Sequence, residues 1–126
     1  MKRHILLIED NEQNRYLTTF LLEKHGYRVT SAATGPAGVQ LARELLPDLI
    51  LLDVQLPGMD GYAVATALKA DARTSGIPIV VVTSYAMAGD REKVLATGAE
   101  GYLEKPIDPE TFVGDVERYL VAGGST

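Results

Sequence analysis

A chain of 126 residues, 46% of them hydrophobic and none of them cysteine, is long enough for one domain to bury a core without staples, and it excludes disulfides and thiolate chemistry. The formal net charge of -5 offers no electrostatic footprint to a phosphate backbone, so direct nucleic-acid binding is disfavoured and proteins or cations are the expected partners. No apolar stretch approaches the roughly 18 residues that span a bilayer, and Met1-Lys2-Arg3 leads into a short strand rather than a secretory core; a soluble, cytoplasmic protein with no membrane partner is expected.

Ile5-Leu6-Leu7-Ile8 is an uninterrupted apolar run, the pattern of a strand covered on both faces, and it ends in Glu9-Asp10. Asn11 then caps a first helix with Leu17, Phe20, Leu21 and Lys24 on neighbouring ridges, His25 in the last turn and Gly26 as the stop. Arg28 to Ala32 reads as a second strand. Thr34-Gly35-Pro36 opens a second helix, with Ala37, Leu41, Ala42 and Leu45 at helical spacing, and Pro47 closes it. The central run Leu49-Ile50-Leu51-Leu52 again lacks polar alternation and again stops on a carboxylate, Asp53, before a loop carrying Pro57, Gly58 and Gly61.

Tyr62, Ala65 and Leu68 continue as a third helix, which ends in the polar stretch 71–76. Ile77 to Val82 is a fourth strand, with Pro78 tolerated at its start and Thr83-Ser84 at its end. Ala88 to Thr97 makes a weak, mobile fourth helix with Gly89 early and Gly98 as its cap. Gly101 to Glu104 is a fifth strand leading into Lys105-Pro106. Asp108 caps a last helix with Pro109 at its first position and Phe112, Val116 and Leu120 facing the core. One domain over 1–126 is expected, with 122–126 as a tail or a severed linker. Five strands alternating with five helices on right-handed crossovers give a doubly wound parallel sheet of order 2-1-3-4-5, whose switch point lies between strands one and three.

Those two strands end in Glu9-Asp10 and Asp53. Neighbouring strands lie about 4.8 Å apart, so the three carboxylates share one cleft; a pair at ~4 Å repels by about 4 kcal/mol at an effective dielectric of ~20. Either a proton is taken up or a cation binds, and an all-oxygen cluster suits a hard cation, Mg2+ where a phosphate also ligates. Glu9 and Asp10 taken alone read equally well as acids at a helix N-terminus. Thr83 ends the strand beside Asp53, and Lys105 ends the edge strand beyond. A carboxylate nucleophile, a divalent cation, a hydroxyl and an ammonium are together the parts that stabilise a transferred phosphoryl group.

Ile8-Glu9-Asp10-Asn11, the stretch from Leu52 to Gly61, Val82-Thr83-Ser84 and the stretch from Gly101 to Pro106, in this order and at strand ends, resemble the receiver domain of two-component response regulators over nearly the whole chain. The resemblance implies a flavodoxin-like (βα)5 fold, Asp53 as phosphoacceptor, Mg2+ held by Glu9, Asp10, Asp53 and the backbone carbonyl of Gln55, and Thr83 and Lys105 on the phosphoryl oxygens. It also implies a cis bond at Lys105-Pro106, Gln55 and Tyr85 as neighbours that tune phosphoryl lifetime, and a switch in which Thr83 turns inward and Tyr102 follows, remodelling the face of helix four, strand five and helix five. Glu9 stands where many relatives have Asp, and its longer arm suits a water-mediated contact. The implied partners are a histidine kinase or histidine phosphotransfer protein, docking on helix one through residues 11–15 with Pro106 and Ile107 at the opposite rim, and a downstream protein; the implied state is a monomer or a phosphorylation-dependent dimer. An aspartate-based phosphatase would carry an acid two residues after the nucleophile, where this chain has Gln55, and a nucleotide-binding protein would carry a glycine-rich loop after strand one. A receiver-like module that never carries phosphate would not need the complete acceptor set.

Overall fold

The computed structural model describes residues 3–54, 56, 60–83, 90–105 and 107–124. Among the described residues strands and helices alternate: β1 (His4–Ile8), α1 (Glu12–Lys24), β2 (Arg28–Ala32), α2 (Gly35–Leu45), β3 (Leu49–Asp53), α3 (Gly61–Ala70), β4 (Ile79–Thr83), α4 (Asp90–Ala96), β5 (Gly101–Glu104) and α5 (Phe112–Gly124). All strand pairs are parallel, in the order β2-β1-β3-β4-β5, the flavodoxin-like topology expected from the alternation.

The uninterrupted apolar strands are explained by burial on two sides. Leu6, Ile8, Ile50, Leu52, Ile79 and Val81 point to one face and pack under Ala42 of α2, Val64 and Leu68 of α3 and Val94 of α4. The alternate residues Ile5, Leu7, Leu49, Leu51, Val80 and Val82 point to the other, under Leu21 and Leu22 of α1 and Phe112, Val116 and Leu120 of α5. β1, β3 and β4 therefore each contribute to two cores with a period of two.

Local chemistry sets the starts of α1, α2 and α3. The side chains of Asn11, Thr34 and Asp60 accept N–H bonds from Asn14, Ala37 and Ala63, each satisfying an orphan donor of a first turn. The faces that turn inward differ from the spacing in two helices. In α1 it is Thr18, Leu21 and Leu22 that are buried, while Phe20 is 51% exposed. In α2 the inward residues are Gly35, Gly38 and Ala42, and Ala37 and Leu45 lie outside. α2 approaches the sheet closely because Gly38 has no Cβ to meet the Ile8 side chain.

Two boundaries also differ. β4 begins at Ile79 rather than Ile77, because the turn bond from Ile77 N–H to the Thr74 carbonyl still holds Ile77 in the preceding loop. α5 begins at Phe112 rather than Pro109: the Asp108 carbonyl accepts the N–H groups of both Thr111 and Phe112, and its side chain takes that of Glu110, so a turn precedes the helix. The described part of α4 starts at Asp90, and Ala88 and Gly89 lie outside the described residues. Among the described residues, no helix is long and apolar enough to cross a membrane.

Candidate functional site

β1 and β3 run side by side with Ile8 opposite Leu52, so the next residue of each strand, Glu9 and Asp53, reaches the carboxyl edge of the sheet at the same level. Both are almost wholly buried, Glu9 at 4% and Asp53 at 5% exposure. Asp10, one residue further into the loop, is exposed. One carboxylate oxygen from each of the three lies within 4.8 Å of the others.

On the far side, β4 pairs with β3 so that Val82 is opposite Asp53, and the buried Thr83 is the last residue of its strand. The Lys105 backbone N–H donates to the Thr83 carbonyl at 2.8 Å, which extends the β4–β5 pairing by one step and aims the lysine stem along the edge. Its ammonium then lies 3.1 Å from Glu9 Oε1 and 3.2 Å from Asp53 Oδ2. The structure thus brings Glu9, Asp10, Asp53 and Lys105 into one cluster, with Thr83 at its rim.

Tyr102 stands apart from that cluster. It is half-buried on β5 opposite Val81, packs against the core beneath α4, and lines a surface depression with Leu95, Leu103 and Tyr119. Gln55, Tyr85 and Pro106, and with Pro106 the cis bond, lie outside the described residues.

The electrostatics follow from the crowding. Burial pushes the Glu9 carboxyl up to about 7, reinforced by its hydrogen bond to Asp53 and by Asp53's charge; the opposing pulls of the Asn11 N–H and Lys105 are weaker. Burial works to lower the Lys105 ammonium, but Glu9 and Asp53 outweigh it and its pKa is raised. One lysine thus does not neutralise the pocket, and Glu9 takes up a proton more readily than a free carboxylate does. Three oxygen donors within reach of one another, carrying more negative charge than the adjacent ammonium offsets, are the donor set of a hard divalent cation such as Mg2+.

Two contributors left no signal in composition or spacing. Gly61, legible only as a loop glycine, opens α3 where a Cβ would collide with the carbonyl of Asp53 and the Cα of Val54; its N–H donates to the Val54 carbonyl at 2.8 Å. Arg15 reaches back from α1 to the backbone of Glu9 and Asp10. Both act through backbone approach, which only the assembled fold reveals.

Residues 5–117 match the response regulator receiver domain family. The polar-differentiation response regulator DivK of Brucella ovis is 40% identical over 120 residues, spanning 95% of this chain and 98% of that protein. Among solved structures, the receiver domain of a sensor histidine kinase from Pseudomonas aeruginosa PAO1, with a magnesium ion coordinated in its active-site cleft, is 35% identical with a TM-score of 0.87, covering 95% of this chain and 98% of that one. The chemotaxis protein CheY4 of Vibrio cholerae superimposes with a TM-score of 0.90 at 28% identity over 94% of this chain and 99% of that one. The chain belongs to the response regulator receiver domain family of two-component signalling.

Proposed function

We propose that this receiver accepts a phosphoryl group on Asp53 from a phosphohistidine of a histidine kinase or histidine phosphotransfer protein. An Asp53 carboxylate oxygen attacks phosphorus in line. The P–N bond breaks with its electron pair left on the imidazole nitrogen, giving an acyl phosphate. In the return step a water oxygen attacks phosphorus, the P–O bond to Asp53 breaks, and inorganic phosphate leaves with the carboxylate restored.

The observation that carries this reading is the Lys105 ammonium held 3.2 Å from Asp53 Oδ2, beside an acidic cluster that it does not neutralise. There Lys105 can follow the charge that arrives on the phosphoryl oxygens, and Thr83 can donate its hydroxyl to one of them. Glu9, Asp10 and Asp53, with the Gln55 carbonyl by family resemblance, would hold Mg2+. When bound, that ion supplies neutralising charge for the carboxylates and the phosphoryl oxygens. The burial of Asp53 and Glu9 limits water at the acceptor and positions it for an approach along one direction.

Phosphorylation adds nearly two negative charges and three acceptor oxygens. The readout in this proposal is an inward turn of Thr83 followed by Tyr102, changing the face of α4, β5 and α5 for a downstream protein partner. α4, described over Asp90–Ala96, is the element best suited to move.

A beryllofluoride titration with Mg2+ tests the acceptor directly. Saturable binding by wild-type protein and none by Asp53→Asn is expected. No binding to the wild type would sink the proposal in favour of a receiver-like module that carries no phosphate.

A further inference from the structure

The Arg15 side chain touches the backbone of two of the three acids. A single guanidinium nitrogen, Nη1, donates to the Glu9 carbonyl at 3.0 Å and to the Asp10 carbonyl at 2.9 Å. These are the two peptide groups at which the chain leaves β1 and has not yet entered α1. The same turn is closed by the Asn11 N–H on Glu9 Oε2 at 3.2 Å and by the Arg15 N–H on the Asn11 carbonyl at 2.9 Å. Arg15 thus fastens the loop to the helix that follows it, from a half-buried position.

We propose that Arg15 is a positioning residue for the cation site: it fixes the β1–α1 turn so that the carboxylates of Glu9 and Asp10 converge on Asp53. The inference rests on the Mg2+ reading of the cluster given above. Glu9 is held at its carboxylate as well, by Asn11 and Lys105, whereas Asp10 is exposed and its direction is set mainly by the backbone that carries it. Groups one step behind a metal ligand typically contribute 10–100-fold to metal affinity by orienting it.

The sign of the effect separates positioning from simple charge. A guanidinium near a cation site repels the cation, so a purely electrostatic Arg15 would weaken Mg2+ binding and its removal would tighten it. A positioning Arg15 predicts the opposite.

The test is calorimetric titration of Mg2+ alone into wild-type, Arg15→Ala and Arg15→Lys proteins, paired with amide hydrogen exchange on the metal-free forms. About tenfold weaker Mg2+ binding is expected for Arg15→Ala, with Arg15→Lys between it and the wild type because an ammonium can still reach one of the carbonyls. Exchange at the Asn11 and Asn14 amides is expected to speed up while the β3 amides keep their protection. Mg2+ affinity in Arg15→Ala equal to or tighter than wild type overturns the inference, and so does unchanged exchange in the turn. Should Arg15→Ala not fold, the same two readouts on Arg15→Lys decide it. Failure of wild-type protein to take up Mg2+ would instead overturn the cation-site reading, and the exchange comparison would still rule on the clamp.

Discussion

Lys105 and Glu9, 96 positions apart in the chain, form an ion pair with Nζ 3.1 Å from Oε1, and the same ammonium also serves Asp53 at 3.2 Å. One cation divided between two buried carboxylates leaves the pocket acidic on balance. That imbalance governs how the site responds to pH, to metal and to substitution.

The first consequence is a pH dependence of the metal-free protein. The fold favours protonated Glu9, whose pKa is raised from 4.5 to about 7, so stability is full below the unfolded value and falls as pH rises through about 7. After allowance for solvent screening the loss is about 1–2 kcal/mol. The raised Lys105 pKa makes its contribution present throughout that window and lost only in strong alkali. Urea midpoints between pH 4 and 8 should decline for wild type, flatten for Glu9→Gln, and recover at the upper end on adding Mg2+.

Removing the shared cation should cost more than its partial exposure suggests. Lys105→Met leaves Glu9 and Asp53 facing each other without the ammonium they share, and the metal-free protein should lose about 1–2 kcal/mol once screening is discounted. Mg2+ should restore most of this loss in thermal melts while phosphoryl acceptance stays impaired. Equal melting with and without Mg2+ would contradict it.

Gly61→Ala puts a methyl group against the Asp53 carbonyl and the Val54 Cα, backbone that cannot swing aside. Overpacking of this kind typically costs about 1–3 kcal/mol. The denaturant midpoint should fall with its slope unchanged, and beryllofluoride affinity should fall with it because the strand end bearing Asp53 is what moves.

Away from the site, two cationic contacts should behave differently. Lys69 donates to the carbonyls of Ser75 and Ile77 and to Glu100, tying α3 to the loops before β4 and β5, so Lys69→Met should cost about 1–3 kcal/mol through orphaned acceptors. Arg73 pairs with Asp71 at the surface and holds its carboxyl well below the usual range, yet Arg73→Ala should leave the midpoint where it is at physiological salt, because exposed pairs are screened. Paired denaturation curves check both.

The sequence by itself determined the alternation of strands and helices, the sheet order, and the assignment of Glu9, Asp10, Asp53, Thr83 and Lys105 to strand ends or the loops just past them. These follow from local signals: unbroken apolar runs of strand length, caps such as Asn11 and Thr34, and Pro or Gly at the breaks. Only the tertiary structure decided which face of each helix turns inward, burying Thr18 and Leu22 while Phe20 faces water, because helix rotation is set by packing against the sheet rather than by hydrophobic spacing alone. The tertiary structure also decided that one lysine serves two acids, that Arg15 grips the turn beneath two of them, and that Gly61 lies against Asp53. Those contacts depend on strand register and on backbone atoms meeting across the fold, and neither is written in the identity of any single residue.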